Sequence, residues 1–269
     1  MQPIICVTEF TAESIAAARA ASAMARRWNE PLFLVRSVDE REQFPLPLRE
    51  QLVPEDRPRL AREAAQLRAG GIACEERVLL GAPEEGIAAF AERMGARLVV
   101  FGCPPLTRLD TWVLGCTGEQ VATTARVPLL LVRSAEPFTE WIAGRKPLRV
   151  YAFVDPVDHS PPIAQALAEW RAIADEAIEF HDTPADAARH PHGAATRCAS
   201  AAQSAGADLI VVGTHPRPAL PLLPHPTLAG HLLRASPISI LVVPDTCVSP
   251  VLEPAHRNGD ANDHASAGG

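Results

Sequence analysis

An internal repeat constrains the fold of this 269-residue chain more than any other feature. The segment ARLVVFG at 96–102 is matched by ADLIVVG at 207–213, and PLLLVR at 128–133 is matched by SILVVP at 239–244. Both matches have the same offset along the chain. Self-similarity at a fixed offset is the signature of a duplicated structural unit. The chain is therefore predicted to contain two copies of one unit.

Strand-like and helix-like segments alternate within the first copy. ARLVVFG is a continuous apolar run, which is typical of a strand covered on both faces. Pro83 and Gly95 bracket a helical segment, since proline suits a first turn and glycine follows a last one. Such alternation predicts a parallel sheet with right-handed crossovers. The predicted strands are 3–8, 32–38, 74–80, 96–102 and 127–133, and the predicted helices include 12–28, 57–70 and 83–95.

The second copy is predicted to be shorter than the first. The opening CVTEFT is matched by FVDPVD, which pairs Glu9 with Asp155 at a larger offset than the later strands have. The missing material corresponds to about one helix and one strand, the residues near 45–80 of the first copy. We expect the shortened copy to expose an edge or an apolar face that the first copy or another chain covers.

The repeat also sets the domain boundaries. The first domain is predicted at 1–134 and the shortened second domain at 147–245, with SAEPFTEWIAGRKP at 134–147 as the link. The tail at 246–269 contains turn formers and no apolar period, and it is predicted to be disordered.

Each half resembles a universal stress protein domain, and the whole chain is similar to a tandem pair. Members of that family carry a late segment G-x2-G-x9-G-[ST], which is matched by VVFGCPPLTRLDTWVLGCTGEQV and by DLIVVGTHPRPALPLLPHPTLAG. The resemblance implies doubly wound, flavodoxin-like α/β domains (adenine nucleotide alpha hydrolase-like), with five parallel strands in the full copy. It also implies pairing through the last strands, 128–133 and 239–244, as a pseudo-dimer within one chain.

The resemblance implies a ligand site as well. In ATP-binding members of the family, the glycine segment wraps the phosphates and the Asp after the first strand holds the nucleoside. The corresponding residues of the first copy are the predicted cofactor-binding residues Glu9, Gly102, Gly115, Cys116 and Thr117.

Prolines interrupt both glycine segments. Pro105 replaces the second glycine of the first copy, and Pro216 and Pro226 replace two glycines of the second. Proline has no N–H and fixes φ near −65°, so each replacement removes a donor to an anion. A hydrogen bond to a charged group is worth roughly 1.5–3 kcal/mol. We therefore predict weakened nucleotide binding in the first copy and none in the second, where Asp155, Gly213 and Thr227 still match the pattern.

Several residues have a structural interpretation beside the functional one. Glu9 and Asp155 suit the positive end of a helix. Cys103 and Cys116 fit small buried thiols better than thiols activated by a helix. The spacing of the second-loop histidines matches no standard zinc pattern, so no metal site is predicted. These histidines are His215, His225 and His231. His190 and His192 are predicted to be exposed loop residues, and Arg108, Arg126 and Arg133 are predicted to be solvated rather than bound to an anion.

Charge and composition exclude several classes of function. A net charge of −7 argues against nucleic-acid binding. No apolar run approaches the roughly 18 residues of a membrane helix. Six unpaired cysteines and no signal-like start predict reduced thiols and a cytoplasmic location.

No catalytic triad, carboxylate pair or P-loop has the required flanking pattern. The first hypothesis is a non-catalytic stress-response or regulatory protein that acts through a protein partner or self-association, including a homodimer. The alternative is an adenine-nucleotide sensor that binds ATP in the first copy only, with slow hydrolysis.

Overall fold

The computed structural model describes residues 1–38, 46–104, 118, 121, 125–154, 178–184, 186–187, 189–214 and 228–244. The strands in these ranges are β1 Ile4–Val7, β2 Leu32–Val38, β3 Cys74–Leu80, β4 Leu98–Gly102, β5 Leu129–Val132, β6 Val150–Val154, β7 Ile178–Asp182, β8 Leu209–Thr214 and β9 Ser239–Pro244. The helices are α1 Ala12–Trp28, α2 Leu46–Ala69, α3 Pro83–Met94, α4 Glu136–Ile142, α5 Pro191–Ser204 and α6 Leu228–Ala235.

Within the described residues, the first half contributes five parallel strands to the sheet. Its order is β3-β2-β1-β4-β5, so the chain first builds outward from β1 on one side and then continues on the other. Every neighbouring pair within this half is parallel. The predicted α/β class with parallel strands is therefore confirmed.

The second half has four strands among the described residues, in the order β9-β8-β6-β7. These pairs are also parallel. In the first half, residues 39–82 lie between β2 and α3, whereas only residues 183–190 lie between β7 and α5. The difference falls where α2 and β3 stand in the first half.

The two halves meet through their last strands. β5 and β9 pair antiparallel, with Leu130 opposite Leu241 and Leu131 opposite Ile240. The family resemblance implied contact between these two strands, and the structure joins them in one continuous mixed sheet, with nine strands among the described residues, rather than in two separate sheets. The pairing of β5 with β9 is called the seam below. The side chains of both strands are buried on both faces of the sheet, so the seam is part of the core.

Helices cover both faces of this sheet, as a doubly wound fold requires. One face packs against α1, α2 and α4 through Met24, Leu60 and Phe138. The other face packs against α3, α5 and α6 and includes Ile87 and Leu232. Because the strands are covered on both sides, their residues form continuous apolar runs in the sequence.

The link between the halves contains a helix that the sequence analysis did not predict. Within the predicted link 134–147, α4 begins at Glu136 and buries Phe138 completely. Trp141 and Ile142 pack against the same core cluster. Apolar residues at i, i+3 and i+4 are the helical pattern that was available in the sequence.

Candidate functional site

The candidate site lies at the carboxyl end of β1, between β1 and β4. The strand order changes direction there, and ligands of open α/β sheets bind in the crevice beside such a switch point. Ile4 pairs with Leu98 and Cys6 with Val100, so the two strands end side by side. This places Glu9 and Gly102, two of the predicted residues, at the same end of neighbouring strands.

Hydrogen bonds hold the turn from β1 into α1. Thr11 caps the helix in a capping box with Ser14: the Ser14 N–H donates to Thr11 Oγ1 over 3.2 Å, and the Thr11 N–H donates to Ser14 Oγ over 2.9 Å. Phe10 has a φ of 59°, which is rare outside glycine, and its N–H donates to Thr8 Oγ1 over 3.1 Å. Glu9 stands in this fixed turn with its side chain exposed.

A polar network joins this turn to α2. The buried Thr8 hydroxyl donates to Glu63 Oε2 over 3.0 Å. Arg36 at the end of β2 pairs with the buried Asp56 over 2.9 Å. The Arg59 guanidinium carbon lies 4.4 Å from the centre of the Phe10 ring. Sequence reasoning did not predict this network, although polar residues at the ends of apolar strands were its signal.

Gly102 has a packing role. A Cβ at this position would lie 2.3 Å from the carbonyl carbon of Glu13 and 2.7 Å from the Ser14 nitrogen. Real Cβ atoms do not approach backbone so closely. The first turn of α1 therefore requires glycine at the end of β4, with or without a phosphate nearby.

Cys103 follows Gly102 and is buried. Its N–H donates to the Val132 carbonyl over 2.9 Å, which extends the β4–β5 ladder by one residue. Burial raises the pKa of the Cys103 thiol to about 11, although the charge of Arg133 acts in the opposite direction. The thiol is therefore neutral at pH 7, which supports the interpretation as a small buried side chain.

The other described cysteines behave in the same way. Burial raises the pKa of Cys74 and of Cys198 to about 11, and it raises the pKa of Cys6 further. These three and Cys103 are free thiols. None of the four has the lowered pKa that nucleophilic chemistry requires.

Ser37 is the last residue but one of β2, on the face of the sheet that α3 covers. Val35 on the same strand belongs to the core cluster of that face, as does Cys103. The Ser37 hydroxyl is buried and has no hydrogen-bond partner within the described residues. Buried hydroxyls normally have a partner, so this one marks an unsatisfied polar position near the carboxyl end of β2, the strand next to β1.

Arg133 contacts the second half, which corrects its interpretation as a solvated charge. It follows β5, and its backbone N–H donates to Ser239 Oγ over 3.0 Å. Its guanidinium donates to the Leu233 carbonyl in the last turn of α6. A cation at the C-terminus of a helix is favourable, so Arg133 stabilises the seam.

The remaining predicted site residues lie outside the described residues. After the loop, the described residues Gly118 and Val121 are helical and buried. The loop residues Gly115, Cys116, Thr117, Pro105 and Arg108 and the second-half residues Asp155, Pro216, Pro226, Thr227, His215 and His225 are not described.

Two histidines approach each other in the second half. The rings of His192 on α5 and His231 on α6 have centroids 5.6 Å apart. His190 and His192 are exposed, as predicted, but His192 lies on α5 rather than in the predicted loop, because Pro191 begins that helix. In the part of the chain that the structure describes, no three histidine, cysteine, aspartate or glutamate side chains form a group that could hold a metal ion. The described helices are also too short or too polar to cross a membrane.

The first half matches a known family. Residues 1–133 match the model of the Universal stress protein family. A universal stress protein from Methanocaldococcus jannaschii is 27% identical over 137 residues, which cover 48% of this chain and 81% of that protein.

The fold is similar to solved structures over most of the chain. The structure of a universal stress protein from Archaeoglobus fulgidus, 14% identical, covers 90% of this chain and 98% of its own, with a TM-score of 0.59. A protein of unknown function from Pseudomonas aeruginosa, 16% identical, covers 91% and 92%, with a TM-score of 0.53. At these identities the likeness concerns the fold alone.

Proposed function

We propose, from the premise that residues 1–133 are one universal stress protein domain, that this chain is a non-catalytic regulatory protein of the stress-response type. It acts through protein contacts, and nucleotide binding is weakened in the first half and lost in the second. The observation that carries this proposal is the contact of Gly102 with the backbone of Glu13 and Ser14. Because packing accounts for that glycine, it does not by itself indicate a phosphate.

The chemistry around Gly102 supports the same conclusion. Cys103 is neutral and buried, so it supplies neither a charge nor a nucleophile to the crevice. Pro104 follows it, and Pro105 replaces a glycine of the family pattern. Two missing N–H donors would weaken the binding of a charged phosphate by about two to four decades.

The strand order supports a second, shortened copy at 147–245. In the first half the second, first, fourth and fifth strands lie in the order β2-β1-β4-β5, and the second half has β7-β6-β8-β9 in the corresponding places. We propose domain boundaries of 1–134 and 147–245, with 246–269 as a tail. Since β5 and β9 pair within one chain, the pseudo-dimer leaves other surfaces for partners.

The second candidate function is an adenine-nucleotide sensor that uses the first half only. It is favoured by the Ser37 hydroxyl, which is buried near the carboxyl end of β2, the strand next to β1, and is unsatisfied within the described residues. A bound polar ligand would supply the missing hydrogen bond. In this case Ser37→Ala should weaken Mg-ATP binding while the unfolding free energy changes little.

The test uses the full chain, freshly purified without added nucleotide. The ratio of absorbance at 260 nm to absorbance at 280 nm should equal that of protein without bound nucleotide. Equilibrium dialysis with labelled Mg-ATP should show no saturable binding at micromolar concentrations. Co-purified nucleotide, or binding that Ser37→Ala weakens, would establish the sensor instead. Ser134→Ala, which changes an exposed hydroxyl beyond β5, is the matched control.

A further inference from the structure

Two arginine side chains converge on the ring of Phe10, in the turn that follows β1. The guanidinium carbon of Arg59 on α2 lies 4.4 Å from the centre of this ring, and that of Arg36 on β2 lies 5.6 Å from it. A guanidinium at such a distance is attracted by the negative face of an aromatic ring. One ring therefore holds two positive charges close together at the carboxyl end of the sheet.

Phe10 itself is fixed in a conformation that few residues adopt. Its φ of 59° lies in the left-handed region, which is unfavourable for a bulky side chain. The turn enforces this conformation, since the Phe10 N–H donates to Thr8 Oγ1 and Thr11 caps α1 directly afterwards. Backbone strain of this kind is concentrated at ligand sites and switch regions. The ring is a fixed support for the two guanidinium groups.

The two arginines differ in how their charges are compensated. Arg36 pairs with the buried Asp56 over 2.9 Å. Arg59 is exposed, and its contact with the ring does not occupy the N–H groups with which a guanidinium binds oxygen atoms. An oxyanion at Arg59 would also reduce the repulsion between the two arginines. Arg59 is therefore placed to donate to an anionic ligand from a supported position.

Arg62 extends the positive charge along α2. It lies three positions after Arg59, so the two side chains are neighbours on the helix surface, and both are exposed. Arg62 donates through Nε to the Pro58 carbonyl, a bond that does not use its two Nη groups. In a chain with a net charge of −7, this is a local surface of the opposite sign. Charge complementarity of this kind selects acidic partners.

We propose that Arg59, supported by Phe10 and extended by Arg62, binds the carboxylates of an acidic segment of a partner protein. A guanidinium donates two parallel hydrogen bonds to a carboxylate. The exposure of both arginines and their spacing along α2 favour an extended segment over a small anion, which would bind in a concave pocket. This inference rests on the proposed function, because it names the chemistry of the protein contact.

Glu9 provides a test in which two hypotheses predict opposite signs. It is exposed and directly precedes Phe10, so its carboxylate repels an acidic segment bound there. In the nucleotide-sensor alternative, the same residue is predicted to hold the nucleoside. Glu9→Gln should therefore strengthen the binding of an acidic segment, whereas it should weaken the binding of a nucleotide.

The experiment measures the fluorescence anisotropy of a labelled hexaglutamate peptide titrated with the full chain at low ionic strength. We expect saturable binding that weakens as salt is added. Arg59→Gln should raise the dissociation constant about tenfold. The matched control is Arg57→Gln, which removes the same charge about 200° away around α2 and should change the constant less than about twofold. Glu9→Gln should lower the constant about threefold.

Circular dichroism of each variant checks that the fold is retained. Equal weakening by Arg57→Gln and Arg59→Gln would show unspecific attraction to positive charge and would overturn the inference. Absence of peptide binding, together with absence of Mg-ATP binding, would overturn the inference and leave the proposed function in place. If Mg-ATP displaced the peptide and Arg59→Gln weakened the binding of both, the site would belong to a phosphate, and the inference and the proposed function would both be overturned.

Discussion

The two halves of the chain agree near the seam and differ at the outer edge of the sheet. β5 and β9 are equivalent, buried and paired with each other, and the strands beside them follow the same order in both halves. Farther out, β2 is followed by α2 and β3, whereas no described strand lies beyond β7. Among the described residues, the two halves therefore share the central strands that build the seam and differ only in the strand that lies outermost.

The largest expected effect concerns the link that joins the halves. Phe138→Ala should lower the free energy of unfolding by about 4 kcal/mol, because it removes a fully buried ring from the core that α1 and α4 share. Equilibrium urea unfolding measures it. Ile15→Ala, on the exposed side of α1, is the control and should cost under about 1 kcal/mol. If both variants lowered the free energy of unfolding by the same small amount, α4 would only connect the halves and would not stabilise them.

The next effect concerns Gly102, at the candidate site of the first half. Gly102→Ala should destabilise the protein by about 3 kcal/mol, since the new Cβ would overlap the Glu13 backbone, which cannot move without shifting α1. Gly86→Ala in α3 meets open space and should stabilise by roughly 0.5–1 kcal/mol. Thermal unfolding of both variants provides the comparison. If Gly102→Ala left the stability unchanged, the packing explanation would be contradicted, and a role of this glycine in ligand binding would be favoured.

A smaller effect is expected at the seam itself. Arg133→Ala should cost about 2 kcal/mol, because the guanidinium bonds to the Leu233 carbonyl of α6 are charge-assisted. Arg145→Ala removes an exposed pair with Glu140 and should leave urea unfolding unchanged. If the two variants behaved alike, Arg133 would not stabilise the contact between the halves.

The smallest effect compares thiols in the two halves. Burial raises the pKa of Cys103 and of Cys198 from 9.0 to about 11. Between these values the unfolded chain loses protons that the folded chain keeps, so the unfolding free energy should fall as pH rises from about 9 to 11. Cys103→Ala and Cys198→Ala should each make this fall less steep, by similar amounts. A thiol reagent that modifies only Cys103 at pH 7 would show an activated thiol there.

Much of the fold could be predicted from the sequence because local signals were strong. The bounds predicted for β2 and β3, 32–38 and 74–80, agree with the structure. Pro83 begins α3, and Gly95 ends it with a φ of 57°. α2 is longer than predicted and begins at Leu46, since proline-containing sequence gives a weak helical signal. α4 was not predicted because a helix of seven residues is too short to show a clear apolar period in the sequence.

The site could be predicted only in part. The sequence located the ends of β1 and β4, but the residues nearest to Gly102 come from α1, far away in the chain. Packing of this kind has no local signal, so the glycine was interpreted through the family pattern alone. The same applies to Thr8 and Glu63, whose hydrogen bond joins residues on different elements.

The most direct test of the central claim is titration calorimetry with Mg-ATP on the wild type and on a variant with Pro105→Gly and Cys116→Ser. The two changes return a backbone N–H and a hydroxyl to the loop of the first half, which should strengthen binding by about two decades at charged-hydrogen-bond values. We expect no measurable binding to the wild type and measurable binding to the variant. Tight binding to the wild type would contradict this expectation, and no binding to either protein would show that the crevice is closed to nucleotide.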